Sequence, residues 1–260
     1  RGVAIDLETA QACCDLIDAT LEQANADLAE LTGGEVTAPS QVAKLRGWLE
    51  RQGVALASLD AAAVEAALER DALPGLAREA LKIRSLSGSA GVKKVYAMRR
   101  QTARDGRCKD LFNYHGARTG RDTGSDVQPQ NLVKRGPDLY WCPPEDGCGR
   151  PSGTHHVDAC PHCRRPRIAP VVKPWSWEAV EYAVAALRTR DAQRVAWEFG
   201  DVMLTISGCI RGLFVAGEGR DLVCSDYSSI EAVVTAVLAG EQWRVDAFER
   251  GEDIYLRSAA

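Results

Sequence analysis

Residues 221–240 read DLVCSDYSSIEAVVTAVLAG. The run Leu222-Val223-Cys224 has the length and composition of a short buried strand, and Ser228 to Leu238 reads as a helix that is apolar over most of its surface. A strand there would deliver Asp226 at its C-terminal end, with the helix starting at once. A carboxylate held that way suits a magnesium ligand at a cleft edge. A strand-end aspartate also simply terminates strands or stabilises the next helix start. Glu231 has two readings as well. Ser228-Ser229-Ile230-Glu231 fits an S-x-x-E capping box, and the same position points a carboxylate toward the strand end.

Upstream, the chain is helical at first. Ile17, Leu21, Leu28 and Leu31 recur at helical spacing over residues 6–31, closed by Gly33-Gly34. Further helices are expected through Val42, Leu45, Trp48 and Leu49, after Ser58-Leu59-Asp60, and over 74–84 and 92–104. The small-residue loop Ser87-Gly88-Ser89-Ala90-Gly91 splits the last two. The character changes near residue 106. Leu111-Phe112-Asn113-Tyr114 reads as a strand before a glycine-punctuated loop from Gly116 to Asn131. Tyr114 and His115 fit a core strand position or a nucleic-acid contact. Helices are expected again at 176–190 and 194–212, and Trp48, Trp175, Trp177, Trp197 and Trp243 read as packing residues.

The 260 residues are 45% hydrophobic and 26% charged, which excludes wholesale disorder, and no run of 18 apolar residues spells a membrane span. The start at Arg1 and the stop inside a helical pattern suggest a piece of a longer polypeptide. A net charge of −4 conceals blocks. Residues 1–77 hold 5 basic and 13 acidic side chains, 78–135 hold 14 and 5, and 136–260 hold 13 and 18. A basic middle between acidic flanks fits a surface that faces a polyanion, or a solvated helix face.

Four of nine cysteines, Cys142, Cys148, Cys160 and Cys163, crowd into the stretch WCPPEDGCGRPSGTHHVDACPHC at 141–163. Without a secretory signal they read as ligands of one structural zinc ion rather than as a disulfide framework. Cys160-Pro161-His162-Cys163 is a clean C-x-x-C knuckle, and Cys142 with Cys148 is a looser one. His155, His156 or His162 could replace one thiolate, and an unmetallated loop is the alternative. Cys13, Cys14, Cys108, Cys209 and Cys224 read as small buried hydrophobes.

The segment from Asp226 to Ala260, DYSSIEAVVTAVLAGEQWRVDAFERGEDIYLRSAA, resembles the first palm motif of family A DNA polymerases. GARTGRDTGSDVQPQNL at 116–132 resembles the family's TGR…LQN segment in its bacteriophage and prophage variant, and the region from Ser87 to Lys94 resembles the thumb. The resemblance implies an α+β fold in which a helical thumb leads into an antiparallel palm, and the cysteine-rich stretch reads as a small zinc-ribbon-like insertion that the family's fold does not demand. It places the thumb at 1–108, the start of the palm at 109–136, the Cys-rich insertion at 137–170, and palm helices with the first catalytic motif at 171–260.

It implies a DNA-directed DNA polymerase acting in replication on primer–template DNA and deoxynucleoside triphosphates, in the cytoplasm of a bacterial or phage-infected cell. By resemblance, Asp226 bridges two Mg2+ ions, the Tyr227 carbonyl joins one of them, and Glu231 crowds the sugar 2′ position. Arg121 meets the duplex near the primer end, and Gln130 and Asn131 contact DNA near the nascent pair, with Gln128 close by. Lys93 and Lys94 belong to the phosphate-facing thumb. Ser229 stands where the family usually has glutamine. The fingers and the second catalytic carboxylate are expected after residue 260, so the piece alone is expected to be inactive. The rival reading is a non-catalytic DNA-binding zinc-ribbon scaffold.

Overall fold

A computed structural model describes residues 2–86, 91–134, 136–145, 147–153, 158–166, 177–223, 225, 227 and 229–259. The loop Ser87 to Ala90, His155, His156, Trp175, Cys224, Asp226 and Ser228 lie outside the described residues. The chain divides into two compact units, Arg1–Glu218 and Gly219–Ala260.

In the first unit, strand β1 (Val3–Ile5) leads into the long helix α1 (Leu7–Leu31). Asp6 caps α1 by accepting from the Thr9 N–H at 3.0 Å and the Thr9 hydroxyl at 2.6 Å, and it pairs with Arg188 at 2.5 Å. At the other end Gly33 and Gly34 take positive φ, and the Gly34 N–H reaches back to the Ala29 carbonyl at 2.7 Å. That is a Schellman-type stop, which a Cβ at Gly33 would strain. Helices α2 (Val42–Arg51), α3 (Ala61–Leu68), α4 (Gly75–Leu86) and α5 (Lys93–Gln101) follow.

Leu28 joins Leu45, Trp48, Leu49, Val64 and Leu81 in a small helical core. The N-terminal half of α1 faces a larger core instead. There Ala10, Cys13, Cys14 and Ile17 meet Val95 and Met98 of α5 and Ala183, Leu187, Met203 and Ile206 from α6 (Trp177–Arg188) and α8 (Val202–Cys209). Residues expected in separate thumb and palm regions therefore share one core, and the compact unit runs through the boundaries placed at 108, 136 and 170.

Three expectations need correcting. The first part is not all helical, because β1 is the centre of an antiparallel sheet between β2 (Arg107–Cys108) and β7 (Phe214–Val215). The single helix expected at 194–212 is broken, since Gly200 at φ 83° closes α7 (Ala192–Phe199) and Asp201 caps α8 by accepting from the Leu204 N–H. A 3-10 turn, Ile210–Leu213, then leads into β7. Finally, residues 221–223 form no strand. Leu222 and Val223 are exposed, Val223 by 91%, and no strand occurs among the described residues of the second unit to pair with them. That unit consists of α9 (Ile230–Ala239), α10 (Gln242–Glu249) and α11 (Ile254–Ala259), with α9 packed on α10.

Candidate metal centre and nucleic-acid interface

Strand β5 (Leu139–Trp141) runs straight into Cys142 and pairs with β6 (Pro151–Gly153). The Cys142 N–H bonds to the Arg150 carbonyl at 3.0 Å, and the Cys148 N–H points at the Cys142 sulfur at 3.3 Å. A Cβ at Gly147 would come within 2.2 Å of that sulfur, so only glycine lets this turn close. The second knuckle is built alike. The Cys160 N–H bonds to Arg165 and the Arg164 N–H to the Cys160 carbonyl, with Arg164 left-handed at φ 60°.

The two knuckles bring all four sulfurs within 4.8 Å of one another, with Cys142 to Cys163 at 3.7 Å and Cys148 to Cys160 at 3.6 Å. A disulfide needs sulfurs about 2 Å apart. Thiolates around a tetrahedral zinc with bonds of about 2.3 Å sit about 3.8 Å apart. Both measured pairs match the zinc value rather than the disulfide one, so the four sulfurs form a cage that could hold one metal ion. Burial pushes the Cys160 thiol up, but the N–H groups of Cys163 and His162 and the neighbouring sulfurs outweigh it and bring the thiol down to about 6. Burial and the surrounding thiols push Cys148 up to about 11. His162 donates from Nε2 to the Pro151 carbonyl at 3.2 Å and stands outside the cage.

The cage is seated on the larger core. Leu139 is buried within that core, and the Gly153 N–H donates at 3.0 Å to Glu198, a buried carboxylate that also accepts from the Tyr182 hydroxyl at 3.0 Å. Sequence reasoning missed Glu198. Its only signal was an acidic residue flanked in sequence by Trp197 and Phe199. Cys13, Cys14, Cys108 and Cys209 are buried and unbonded to one another, and burial pushes the Cys13 thiol up to about 12.

Strands β3 (Phe112–Asn113) and β4 (Thr123–Gly124) form a hairpin whose loop carries Arg121, which is exposed. Beyond β4 a 3-10 turn, Pro129–Asn131, presents Gln130 and Asn131 at the surface. Asn131 donates to the Gln128 side chain at 2.9 Å, and a Cβ at Gly124 would strike both Gln128 and Gln130. Gln128, Gln130 and Asn131 thus cluster over the hairpin. Asp110, His115, Asp126 and Gln128 all take positive φ, a concentration of strained backbone in one short stretch.

Basic side chains hold this stretch in place. Lys94 donates to the Asp126 carbonyl at 3.0 Å, Arg100 pairs with the Asp126 carboxylate at 3.0 Å, and Arg211 donates to the carbonyls of Leu132 and Val133. Lys94 therefore braces the loop, whereas Lys93, the first residue of α5, is exposed.

Of the remaining expected residues, Asp226 lies outside the described residues, and Tyr227 is exposed. Ser229 rather than Ser228 is the N-cap of α9, at φ 51° and without a side-chain cap bond, which sets Glu231 at the second helical position instead of the third. The capping-box register is thus shifted by one residue. Glu231 is exposed in the first turn, and its carbonyl accepts from Thr235 at 2.7 Å.

The chain is similar to the DNA polymerase of Bacillus phage SP02, with 30% identity in an alignment of 264 residues that takes in all of this chain and 34% of that protein. It therefore spans about a third of the relative's length. No family model matches the chain, and no solved structure matches it.

Proposed function

We propose that the chain belongs to a family A DNA polymerase, with 1–108 acting as a helical thumb, 109–136 and 171–260 as the start of the palm, and 137–170 as a zinc-ribbon-like insertion. The similarity to the phage SP02 DNA polymerase along the whole chain carries this reading. The order of the TGR, QPQN and DYSSIE motifs supports it.

The reaction is template-directed deoxynucleotide transfer, in which a primer 3′-hydroxyl attacks the α-phosphate and pyrophosphate departs. Bound magnesium would supply charge stabilisation at the attacking and leaving oxygens. The Asp226 carboxylate and the Tyr227 carbonyl are the hard oxygen donors that suit that ion. Lys93, Arg121, Gln130 and Asn131 orient the duplex through phosphates and groove acceptors common to every base pair, as a copying enzyme requires. Glu231 crowds the sugar 2′ position. Cys142, Cys148, Cys160 and Cys163 would hold a structural zinc ion, which would supply the cross-link that an insertion too polar for a core of its own needs.

The test is Asp226→Asn in the polypeptide encoded by the whole reading frame. Charge is lost at nearly constant volume, so folding and duplex binding persist while incorporation falls on the order of a thousandfold or more. Glu231→Ala retains most synthesis and admits ribonucleotides more readily. Near wild-type copying by folded Asp226→Asn protein would reduce Asp226 to a structural aspartate and overturn this mechanism, whereas no copying by the wild-type polypeptide would favour the scaffold reading.

A further inference from the structure

Tyr114 stacks on His115 with ring centroids 4.8 Å apart and planes within 4°. Even with one face covered, Tyr114 stays 85% exposed, so its outer face is open, and Phe112 two residues earlier is exposed as well. Large aromatic surface left in water is unfavourable, and here it is also held stiffly. His115 has φ 52°, and its N–H is fixed by the Asp122 carboxylate at 3.0 Å. Gly120, at φ 76°, lets the backbone come close beneath the imidazole, where a Cβ would lie 3.3 Å from Nε2. The loop is cross-bonded from Ala117 N–H to the Arg121 carbonyl and from Gly120 N–H to the Ala117 carbonyl. A strained, internally bonded loop that spends its order on displaying a ring pair is built for contact rather than for packing.

We infer that the Tyr114–His115 pair is a stacking platform for an unpaired nucleobase beside the end of a DNA duplex, resting on the polymerase reading for the identity of its ligand. Stacked aromatics among cations are the composition of single-strand sites, because every base offers a π-face and every linkage a phosphate. Arg118 and Arg121 are exposed on the same loop, and the Gln128, Gln130 and Asn131 cluster lies over the adjacent strand. Within a duplex the base faces are covered by their neighbours, so the platform takes a base only where pairing ends.

The experiment measures binding of the 260-residue chain to two probes. One is a primer–template carrying 2-aminopurine as the first unpaired template base, and the other is a blunt duplex of the same sequence. Tyr114→Ala is expected to weaken overhang binding about tenfold and to abolish the change in 2-aminopurine fluorescence, while blunt-duplex affinity moves less than twofold. Tyr114→Phe retains the ring and both signals. Equal loss on both probes would mean that only the loop had collapsed, and no loss on either would mean that the ring touches nothing; each overturns the platform while leaving the polymerase reading intact. Failure of the wild-type chain to bind either probe would sink both.

Discussion

The cysteine cage and the segment leading to Asp226 are both short and polar in places, yet one closes and the other does not. Strand β5 finds its partner β6 ten residues downstream, Leu139 anchors it in the larger core, and the sulfurs converge within 22 residues of sequence. Leu222 and Val223 have strand-forming side chains but no neighbouring strand within their own unit among the described residues, and they stand in solvent. A metal cage carries its partners with it, whereas a strand is defined by what lies beside it. Strand propensity is a statement about a pleated surface that must exist already.

The largest effect should come from breaking the cage. Chelator-free protein should carry about one zinc per chain, and Cys160→Ser with Cys163→Ser should release it, because apparent binding energies of structural zinc are on the order of 10 kcal/mol. Metal analysis gives the stoichiometry, and limited proteolysis should show residues 139–166 becoming cleavable in the double variant. A wild-type chain without zinc, or a variant that keeps it, would remove the metal from the comparison and leave two unsupported loops.

Next in size is the seat of the cage. Glu198→Ala leaves the Gly153 N–H and the Tyr182 hydroxyl without their buried acceptor, a loss of about 2 kcal/mol. Glu198→Gln keeps one acceptor oxygen and should lose less. Amide exchange at 151–153 should quicken in the alanine variant while zinc is retained, which separates anchoring from metal binding. Unchanged exchange would mean that Leu139 alone holds the insertion.

What could be read from the sequence follows the same division. Helices α1 to α4 were legible because each has local punctuation, such as Asp60 before α3 and Gly33-Gly34 after α1. The four cysteines were legible because ligand spacing is local. Strand β1 was not, since Val3–Ile5 is a strand only by virtue of residues 107–108 and 214–215 far along the chain. The bond from Lys94 to the Asp126 carbonyl was not legible, because a partner 32 residues away leaves no mark in the local sequence. Glu198 was hidden for the same reason.

A smaller effect should come from Asp6, which ties α1 to α6. Burial raises its carboxyl, but bonds from the Thr9 hydroxyl and N–H and from Arg188 outweigh that and hold it below its ordinary value. A depressed folded-state pKa gives stability that is present above the unfolded value, near 4, and lost as pH falls through the folded one. Asp6→Asn should therefore cost about 1 kcal/mol at neutral pH, with the gap from wild type narrowing as pH falls below about 4. Denaturant melts at several pH values measure it, and a gap independent of pH would assign the effect to packing.

The smallest expected effect bears most directly on the contrast. Val223 is 91% exposed, so Val223→Ser removes two methyl groups that water already surrounds. The change in stability of this chain should stay within about 0.5 kcal/mol, the range of surface substitutions away from special features. Ile5 is the matched control, being an aliphatic side chain of similar type on the central strand of a real sheet, 5% exposed and packed in the larger core. Ile5→Ala should cost about 2–5 kcal/mol, because it forfeits both transfer energy and the contacts around the cavity left behind. If Val223→Ser instead costs as much as Ile5→Ala, residues 221–223 are a buried strand after all. Asp226 would then sit at the end of a fixed support within this chain, and the difference between cage and carboxylate would vanish.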